Sequence, residues 1–409
     1  MGTPERSVKT ALVLPGGGAR GAYQVGVLKA LAGLVPRGTV NPFKIISGTS
    51  AGAVTSIVLA AKARRFKIAV AELEEVWGNF RCQDVFKTDH LTMLRSSLHW
   101  FGAIVTGGLI GMPRALLDNS PLCALLSRNV RFPRIQNALD CGWLDAVAVT
   151  AAGYSTAQSH SFFQATDRHR NWSRKRRTGV REDLHLDHVM ASIAVPMIFP
   201  PVQIGGEYFG DGAMRQATPL SPAIHLGADR ILVLGVRNEV ADKAPDPGET
   251  PDYPSFAQIA GYMLDTLFMD GLYSDLERMT RINQLIDAVP VQHRAGALKE
   301  MRPIDTMVIV PSEDVRDIAH RHHQELPMAL RALLRGVGGK RPRENRLISY
   351  LLFEQNFTRE LIDLGYRDAM QVKNELLDFV SGAEVPRLFA PAWVKHDLST
   401  IHGERLRRF

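Results

Sequence analysis

The sequence predicts an α/β protein with a mainly parallel β-sheet covered by helices. Apolar stretches of strand type alternate with helical patterns from the N-terminus onward, and two of the strand-to-helix junctions are rich in glycine. This alternation is typical of parallel sheets, because neighbouring parallel strands need a crossover that usually contains a helix. Both junctions should therefore lie at the carboxyl edge of the sheet, where ligands bind in such folds.

Length and composition agree with this fold class. The chain has 409 residues, 45% of them hydrophobic and 22% charged, which is enough to bury a large core. A net charge of +7 favours anionic partners, namely membrane surfaces, phosphate-bearing substrates or nucleic acid. Three cysteines without metal-type spacing predict neither a disulfide framework nor a zinc site. No secretory signal is visible, so we expect a cytoplasmic protein, although secretion by a signal-less route stays open.

The first glycine-rich junction is ALVLPGGGARGAY at residues 11–23. A strand pattern stops at Gly16, Gly17 and Gly18, and a helical pattern begins near Gly21. Consecutive glycines before a helix let backbone N–H groups point at one spot, and the positive end of the helix adds to the field there. These three glycines are therefore candidate oxyanion-hole donors. Arg20 is a candidate for binding a substrate phosphate or a neighbouring carboxylate; the alternative is a solvated arginine at a helix end.

The second junction places Ser50 in Gly48-Thr49-Ser50-Ala51-Gly52, a G-x-S-x-G pattern between a predicted strand and a predicted helix. In that context the pattern is typical of a nucleophile elbow, whose tight turn exposes the serine side chain. The turn leaves no room for side chains at the flanking positions, and Gly48 and Gly52 meet that need. The alternative is a glycine-rich turn in which the serine only caps the helix.

Further along, strands and helices continue to alternate as far as about residue 310, and only helices are expected beyond it. The predicted strands are 143–151, 159–164, 202–209, 230–236 and 306–310, and the predicted helices are 21–35, 53–61, 66–80, 188–194, 221–226, 256–288 and one or two within 344–380.

Residues 98–112 contain no charge apart from His99 and include several large apolar side chains. The stretch is shorter than the roughly twenty residues that span a bilayer. It is a candidate lid or interfacial surface, and a buried core segment is the other reading.

A basic run follows at residues 168–181, with Trp172 among seven arginine and lysine residues. Such a run is most often a solvated loop. Contact with an anionic membrane is the second reading, and nucleic-acid binding is the least favoured.

Asp211 lies between two glycines at the end of the predicted strand 202–209. A carboxylate at a strand end can face a site without crowding. In isolation, however, such a residue is more often a turn aspartate that bonds its own backbone.

Four motifs, in this order along the chain, resemble those of the patatin-like phospholipases: Gly16 to Gly21, Gly48 to Gly52, Ala191 to Pro196 leading into Phe199-Pro200-Pro201, and Asp211-Gly212-Ala213. The resemblance covers about residues 9–240. It implies a three-layer α/β/α patatin-like domain at 1–315, with a C-terminal helical extension of unknown role at 316–409. Ala213 departs from the family pattern, which often has glycine there.

The resemblance implies a lipid acyl hydrolase of the phospholipase A or lysophospholipase type. Ser50 would be the nucleophile, Asp211 the base, and the amides of Gly16, Gly17 and Gly18 the oxyanion hole, with no metal or cofactor. The substrate would be a phospholipid or another acyl-ester lipid, with peripheral contact to an anionic membrane and no nucleic-acid partner. A Ser-Asp-His arrangement through His225 or His293 stays open, because both follow Asp211 in the chain.

Two other classes of function are weighed against this hypothesis. Gly16-x-Gly18-x-x-Gly21 also fits a dinucleotide-binding fingerprint, but no acidic residue occurs between Glu5 and Glu72, where that fold needs one. The second class is a non-catalytic, membrane-binding scaffold on a hydrolase-like fold. Lipid binding without ester turnover would distinguish it from an enzyme.

Overall fold

The structure is a computed structural model that describes residues 8–88, 115–238, 253, 255–296, 298, 301–336 and 346–394. These residues form a three-layer α/β/α fold around a mainly parallel sheet, which confirms the predicted fold class. The candidate lid or interfacial segment 98–112 lies outside the described residues.

The described part of the chain contains eleven strands, all in one sheet. In chain order they are β1 (Thr10–Leu14), β2 (Ile45–Thr49), β3 (Ala146–Gly153), β4 (Ser159–Ala165), β5 (Trp172–Arg174), β6 (Arg177–Arg181), β7 (Val202–Ile204), β8 (Glu207–Asp211), β9 (Arg230–Leu234), β10 (Asp305–Ile309) and β11 (Leu388–Phe389).

The strand order across the sheet is β11-β10-β9-β1-β2-β3-β4-β6-β5, and β8 pairs with both β3 and β7. All neighbours from β11 to β3 are parallel. The central strands β1, β2, β3 and β9 are buried along their whole length, which is why they read as continuous apolar runs rather than as alternating patterns.

The described residues also contain fourteen α-helices, which cover the sheet and pack on one another. They are α1 (Ala22–Leu34), α2 (Ala51–Ala61), α3 (Phe66–Gly78), α4 (Cys82–Val85), α5 (Ser120–Asn129), α6 (Pro133–Asp140), α7 (Leu186–Ser192), α8 (Ser221–His225), α9 (Phe256–Ala288), α10 (Val315–His322), α11 (Met328–Gly336), α12 (Ile348–Leu351), α13 (Gln355–Gln371) and α14 (Lys373–Ser381). No helix in these ranges combines the length and apolar character needed to cross a bilayer.

The basic run at 168–181 is not the solvated loop that we expected. It forms the antiparallel hairpin β5–β6, in which Trp172 pairs with Gly179. A side chain at Gly179 would meet the indole, since its Cβ would lie 2.2 Å from Trp172. The glycine thus lets the ring lie flat on the hairpin, where it stacks on Phe163 at 4.8 Å between ring centroids.

Two further strand expectations need correction. The single strand expected at 202–209 is the hairpin β7–β8, which turns at Gly205-Gly206, where Gly205 has φ 57°. The C-terminal region also adds a strand, since β11 pairs in parallel with β10. Its two residues are too few to give a periodic signal in the sequence.

The C-terminal helices pack directly on the N-terminal part of the fold. Helix α13 crosses α1 at two glycines: a Cβ at Gly26 would lie 2.0 Å from the Ile362 carbonyl oxygen, and one at Gly365 would lie 2.2 Å from the Tyr23 carbonyl oxygen. The Tyr23 hydroxyl also donates a 3.0 Å hydrogen bond to Asp368. The domain boundary between 315 and 316 stays a prediction, and α10 spans it.

Candidate active site

Ser50 occupies the turn between β2 and α2 with φ 53° and ψ −126°. A non-glycine residue takes such dihedrals only where its surroundings hold it there. The Ser50 N–H donates a 2.8 Å hydrogen bond to Ser192 Oγ, and the Ser192 hydroxyl donates a 2.6 Å bond to the Thr150 carbonyl. This chain of bonds ties the turn to β3.

The glycines on either side of Ser50 are required by the backbone that approaches them. A Cβ at Gly48 would lie 2.3 Å from the Gly52 carbonyl oxygen, and a Cβ at Gly52 would lie 2.0 Å from the Leu14 carbonyl oxygen. Because these neighbours are backbone atoms, no side-chain movement could relieve the clash. The G-x-S-x-G spacing therefore follows from the packing of Gly48 on the start of α2 and of Gly52 on the end of β1.

Sheet register brings Asp211 to Ser50. Strand β4 pairs along one edge of β3 from Ala146 to Ala152, so β2 and β8 must share the other edge. On that edge Thr49 pairs with Thr150, and Asp211 pairs with the next residue, Ala151. The end of β8 thus meets the end of β2, with Ser50 immediately after Thr49.

The Asp211 carboxyl is 1% exposed. Its Oδ1 accepts a 2.9 Å hydrogen bond from the Ala213 N–H, whereas Oδ2 has no partner of full hydrogen-bond geometry among the described residues. Burial raises the pKa of Asp211 to about 7, although the Ser50 hydroxyl and the Ala213 N–H oppose the rise. The Ser50 hydroxyl is thus close enough to Asp211 to lower the pKa of that carboxyl.

The candidate oxyanion turn continues from β1. Gly18 has φ 55° and begins a 3₁₀ helix, Gly18–Gly21, that runs into α1. A Cβ at Gly18 would lie 2.3 Å from the Tyr350 carbonyl oxygen. Gly18 and Ser50 line the same cavity, which places the turn beside the serine. The donor roles of Gly16, Gly17 and Gly18 stay predictions.

The cavity at Ser50 is almost wholly apolar. Its walls come from the elbow, from α3 and α5, from the segment 193–199 and from the C-terminal region. The lining residues are Gly18, Ser50, Ala51, Val54, Trp77, Phe80, Val85, Leu122, Ile193, Val195, Ile198, Phe199, Leu264, Tyr350, Leu351 and Phe353. Such a lining suits a hydrocarbon chain, because it offers few groups that would need polar partners.

Arg20 is fully buried and is not the solvated helix-end residue of the alternative reading. Its Nη1 donates 3.0 Å hydrogen bonds to Asp265 Oδ1 and to the Tyr350 hydroxyl, and its Nε and Nη2 donate to Ser349 Oγ at 3.0 and 2.7 Å. Although burial raises the pKa of Asp265, the Arg20 cation and further partners bring it below its usual range. Arg20 therefore binds a neighbouring carboxylate, and its substrate-binding role stays a prediction.

The two histidines considered as alternatives to a dyad have other surroundings. His225 stacks on Trp172 at 4.9 Å between ring centroids, and its Nδ1 lies 2.9 Å from the Ser221 carbonyl oxygen. His293 is exposed in the 3₁₀ helix Val291–His293. Within the described residues, neither histidine lines the cavity at Ser50 or bonds to Asp211.

Sequence reasoning missed two groups of residues at this site. Ser192 belongs to a motif that carried the family resemblance, but nothing in the sequence indicated that its hydroxyl would hold the elbow. Tyr350, Leu351 and Phe353 lie in a region read only as amphipathic helix. No local signal could have placed them beside Ser50.

Comparison with known proteins identifies the class. The profile of the patatin-like phospholipase family matches residues 12–224, more than half of the chain. The chain therefore belongs to the patatin-like phospholipase family, and it is a lipid-hydrolysing esterase. A search of curated proteins found no match.

Solved structures that match this chain include VipD from Legionella pneumophila, with 14% identity, a TM-score of 0.35 and coverage of 90% of this chain and 67% of that one. Human group IVD cytosolic phospholipase A2 matches with 12% identity, a TM-score of 0.39 and coverage of 92% and 59%. ExoU from Pseudomonas aeruginosa, solved with SpcU, matches with 16% identity, a TM-score of 0.22 and coverage of 94% and 76%. The present chain thus spans about three fifths of the human enzyme's length. At these scores the likenesses support no inference about the site.

Proposed function

We propose that this protein hydrolyses fatty-acyl esters of phospholipids or lysophospholipids with a Ser50–Asp211 dyad. The observation that carries the proposal is a strained serine that lines an apolar cavity and lies close to a buried carboxyl whose pKa is raised to about 7. Family membership supports the lipid substrate class.

In the proposed mechanism, Ser50 Oγ attacks the ester carbonyl carbon while the Asp211 carboxylate takes the hydroxyl proton. The tetrahedral oxyanion is stabilised by the N–H groups of Gly16, Gly17 and Gly18 and by the start of the following helix. The proton then passes to the departing alcohol as the C–O bond breaks, which leaves an acyl-serine. Water activated by Asp211 hydrolyses this intermediate, releases the fatty acid and restores the Ser50 hydroxyl.

A carboxylate is ordinarily a weak base toward a serine hydroxyl, and the burial of Asp211 addresses this weakness. A base is most effective when its pKa lies near the working pH, because it is then both deprotonated and strongly basic. The elevated pKa of Asp211 meets that condition without a histidine.

Turnover should depend on pH through the same group. Because Asp211 must be deprotonated to act as base, we expect kcat/KM for a soluble ester to fall by about tenfold per pH unit below pH 7. Initial rates between pH 5 and pH 9, at constant ionic strength, would measure this. A profile that stays flat down to pH 5 would contradict the assignment.

The apolar cavity should set the length of acyl chain that the enzyme accepts. Leu351→Trp is expected to fill part of the cavity and to lower kcat/KM for a palmitoyl ester by at least about tenfold, with little effect on an acetyl ester. Val54→Phe, which changes another wall, should act in the same direction. Equal losses on long and short esters would argue against the cavity as the acyl site.

The substrate class is tested with mixed micelles of detergent and one lipid, namely a phospholipid, a lysophospholipid or a diacylglycerol. We expect fatty-acid release from the first two lipids. Sedimentation with liposomes, in the absence of detergent, measures lipid binding separately from hydrolysis and so tests the scaffold hypothesis. Lipid binding by the folded protein with no release from any ester would overturn the proposal.

A further inference from the structure

A second cleft opens beside the 213–218 segment that follows Asp211, and it shares no lining residue with the apolar cavity. It has a volume of about 780 Å³. Its walls come from the β5–β6 hairpin, from residues 213–218 and from α8 and α9. Six cations line it: Arg174, Lys175, Arg176, Arg177, Arg215 and Arg278.

Within the described ranges, these six cations lack the carboxylate partners that neighbouring cations have. At the base of the same basic run, Arg168 pairs with Asp145 at 2.6 Å and Arg181 pairs with Asp167 at 2.7 Å. In the described part of the chain, none of the six cleft cations forms an ion pair. Like charges repel one another when no opposite charges balance them, so this cluster does not stabilise the fold. A role in binding an anion would explain it.

Arg177 supplies a more specific sign that the cleft binds an anion. Its Nη1 donates a 2.6 Å hydrogen bond to Thr218 Oγ1, but its Nε is buried and has no partner among the described residues. The buried carboxyl of Asp275 lies close enough to Arg177 and Arg278 for their charges to lower its pKa. Its Oδ2 accepts a 3.0 Å hydrogen bond from the Leu220 N–H. Asp275 therefore leaves most of the positive charge of the cleft unbalanced.

The donors of the cleft fit phosphate. Guanidinium groups bind phosphate oxygens with paired N–H donors, and the hydroxyls of Ser159 and Ser274 add neutral donors around them. Several cations around one cleft favour a dianionic phosphate monoester over a singly charged diester. The volume has room for a headgroup larger than phosphate alone.

Nucleic acid fits less well. Trp172 is the aromatic residue of the cleft lining, but its indole already stacks on Phe163 and on His225. It is therefore committed to the packing of the hairpin and does not offer a free ring on which bases could stack.

The cleft also borders the esterase site. Gln216 lines it, and the Gln216 Oε1 accepts a 2.5 Å hydrogen bond from the hydroxyl of Thr49, the residue before Ser50. We propose that this cleft binds a phosphate monoester, and that its source is the headgroup of an anionic lipid at the surface on which the enzyme works. The inference rests on family membership and on the cleft itself, not on the catalytic roles of Ser50 and Asp211.

Two probes distinguish binding of a soluble phosphate monoester from binding of a lipid headgroup. Inositol hexakisphosphate, titrated calorimetrically, tests the cleft with a soluble phosphate monoester. Vesicles of ether-linked phosphatidylcholine that contain either ether-linked phosphatidic acid or phosphatidylglycerol, matched in surface charge, test the lipid headgroup without hydrolysis. We expect binding to the soluble probe and a preference for phosphatidic acid over phosphatidylglycerol.

The variant Arg176→Gln/Arg177→Gln/Arg278→Gln should weaken both interactions by roughly tenfold or more. The matched control Arg37→Gln/Arg65→Gln/Arg131→Gln removes the same charge from exposed positions outside the cleft and should bind within about twofold of the native protein. Arg278→Gln alone, at an exposed position, should show part of the loss even if the triple variant unfolds.

Equal losses in the cleft and control variants would overturn the proposal, because they would show nonspecific attraction by net charge. Equal binding to the two charge-matched vesicles together with no binding of the soluble probe would also overturn it. Binding of single-stranded RNA in preference to both phosphate probes would assign the cleft to nucleic acid instead.

Discussion

Ser50→Ala is expected to lower kcat/KM for a soluble acyl ester by at least about 10⁴-fold while leaving the fold intact. Alanine removes the oxygen that attacks the ester in the proposed mechanism, so no acyl-serine can form. It keeps the Cβ that the strained turn already accommodates at φ 53°. The hydroxyl of Ser192 would still accept the backbone N–H of residue 50, so the elbow should persist.

The matched control for this variant is Ser56→Ala. Ser56 lies in α2, the helix that follows Ser50; it is also buried, and its hydroxyl has no partner among the described residues. We expect it to keep near-native kcat/KM, as measured by initial rates on the same ester. Substantial residual turnover by Ser50→Ala, or an equal loss in Ser56→Ala, would rule out the proposed nucleophile.

Asp211→Asn is expected to combine a catalytic loss of about 10³- to 10⁴-fold with a gain in stability at pH 8. The loss follows because an amide cannot take the serine proton. The gain follows because the folded-state pKa of Asp211, about 7, lies above its value in the unfolded chain. Above pH 7 the native protein must keep a charged carboxylate buried, and asparagine relieves that cost.

The pKa of Asp211 also determines the direction of the stability effect and the pH range over which it appears. Below about pH 4 the carboxyl is protonated in both the folded and unfolded states, so the variant should match the native protein there. Between pH 4 and pH 7 the native protein loses stability as the pH rises. At pH 8 the variant should exceed it by on the order of 2–4 kcal/mol in the free energy of unfolding.

Denaturant unfolding at pH 4 and pH 8 measures this effect, and Asp275→Asn is the control. Burial also raises the pKa of Asp275, to about 6, and its Oδ2 accepts the Leu220 N–H, which an amide oxygen could still do. We expect Asp275→Asn to gain stability at pH 8 without catalytic loss. A destabilised Asp211→Asn, or one with native turnover, would contradict the role of Asp211 as a buried base.

The local features of the fold were predictable because short-range constraints determine them. The strand, glycine and helix order at both junctions follows from apolar runs broken at glycine. The elbow around Ser50 follows from backbone contacts at Gly48 and Gly52 that exclude any side chain. The confirmed fold class rests on these features and on the continuous apolar runs of buried parallel strands.

Long-range contacts could not be predicted in the same way. Asp211 reaches Ser50 only because β8 joins β3 beyond the end of β2, and sequence reasoning connected the two residues only through a family resemblance. Tyr350, Leu351 and Phe353 contribute to the cavity through packing that no local pattern encodes. The surroundings of Arg20 come from residues 265 and 346–350, far along the chain.

The hairpin at 172–181 was missed for a different reason. Arg174, Arg177 and Arg181 lie on the same face of its short strands as Trp172, so the apolar-polar alternation that identifies a half-buried strand is hidden. Its stability depends on one aromatic residue, Trp172, lying over Gly179, and a charge count cannot detect that contact.

The most direct test of the central claim is covalent labelling with a fluorophosphonate probe, followed by peptide mass analysis of the native protein and of Ser50→Ala. The account predicts one adduct, on Ser50, that is absent from the folded variant. Labelling of another residue, equal labelling of Ser50→Ala, or no labelling of the folded native protein would contradict it.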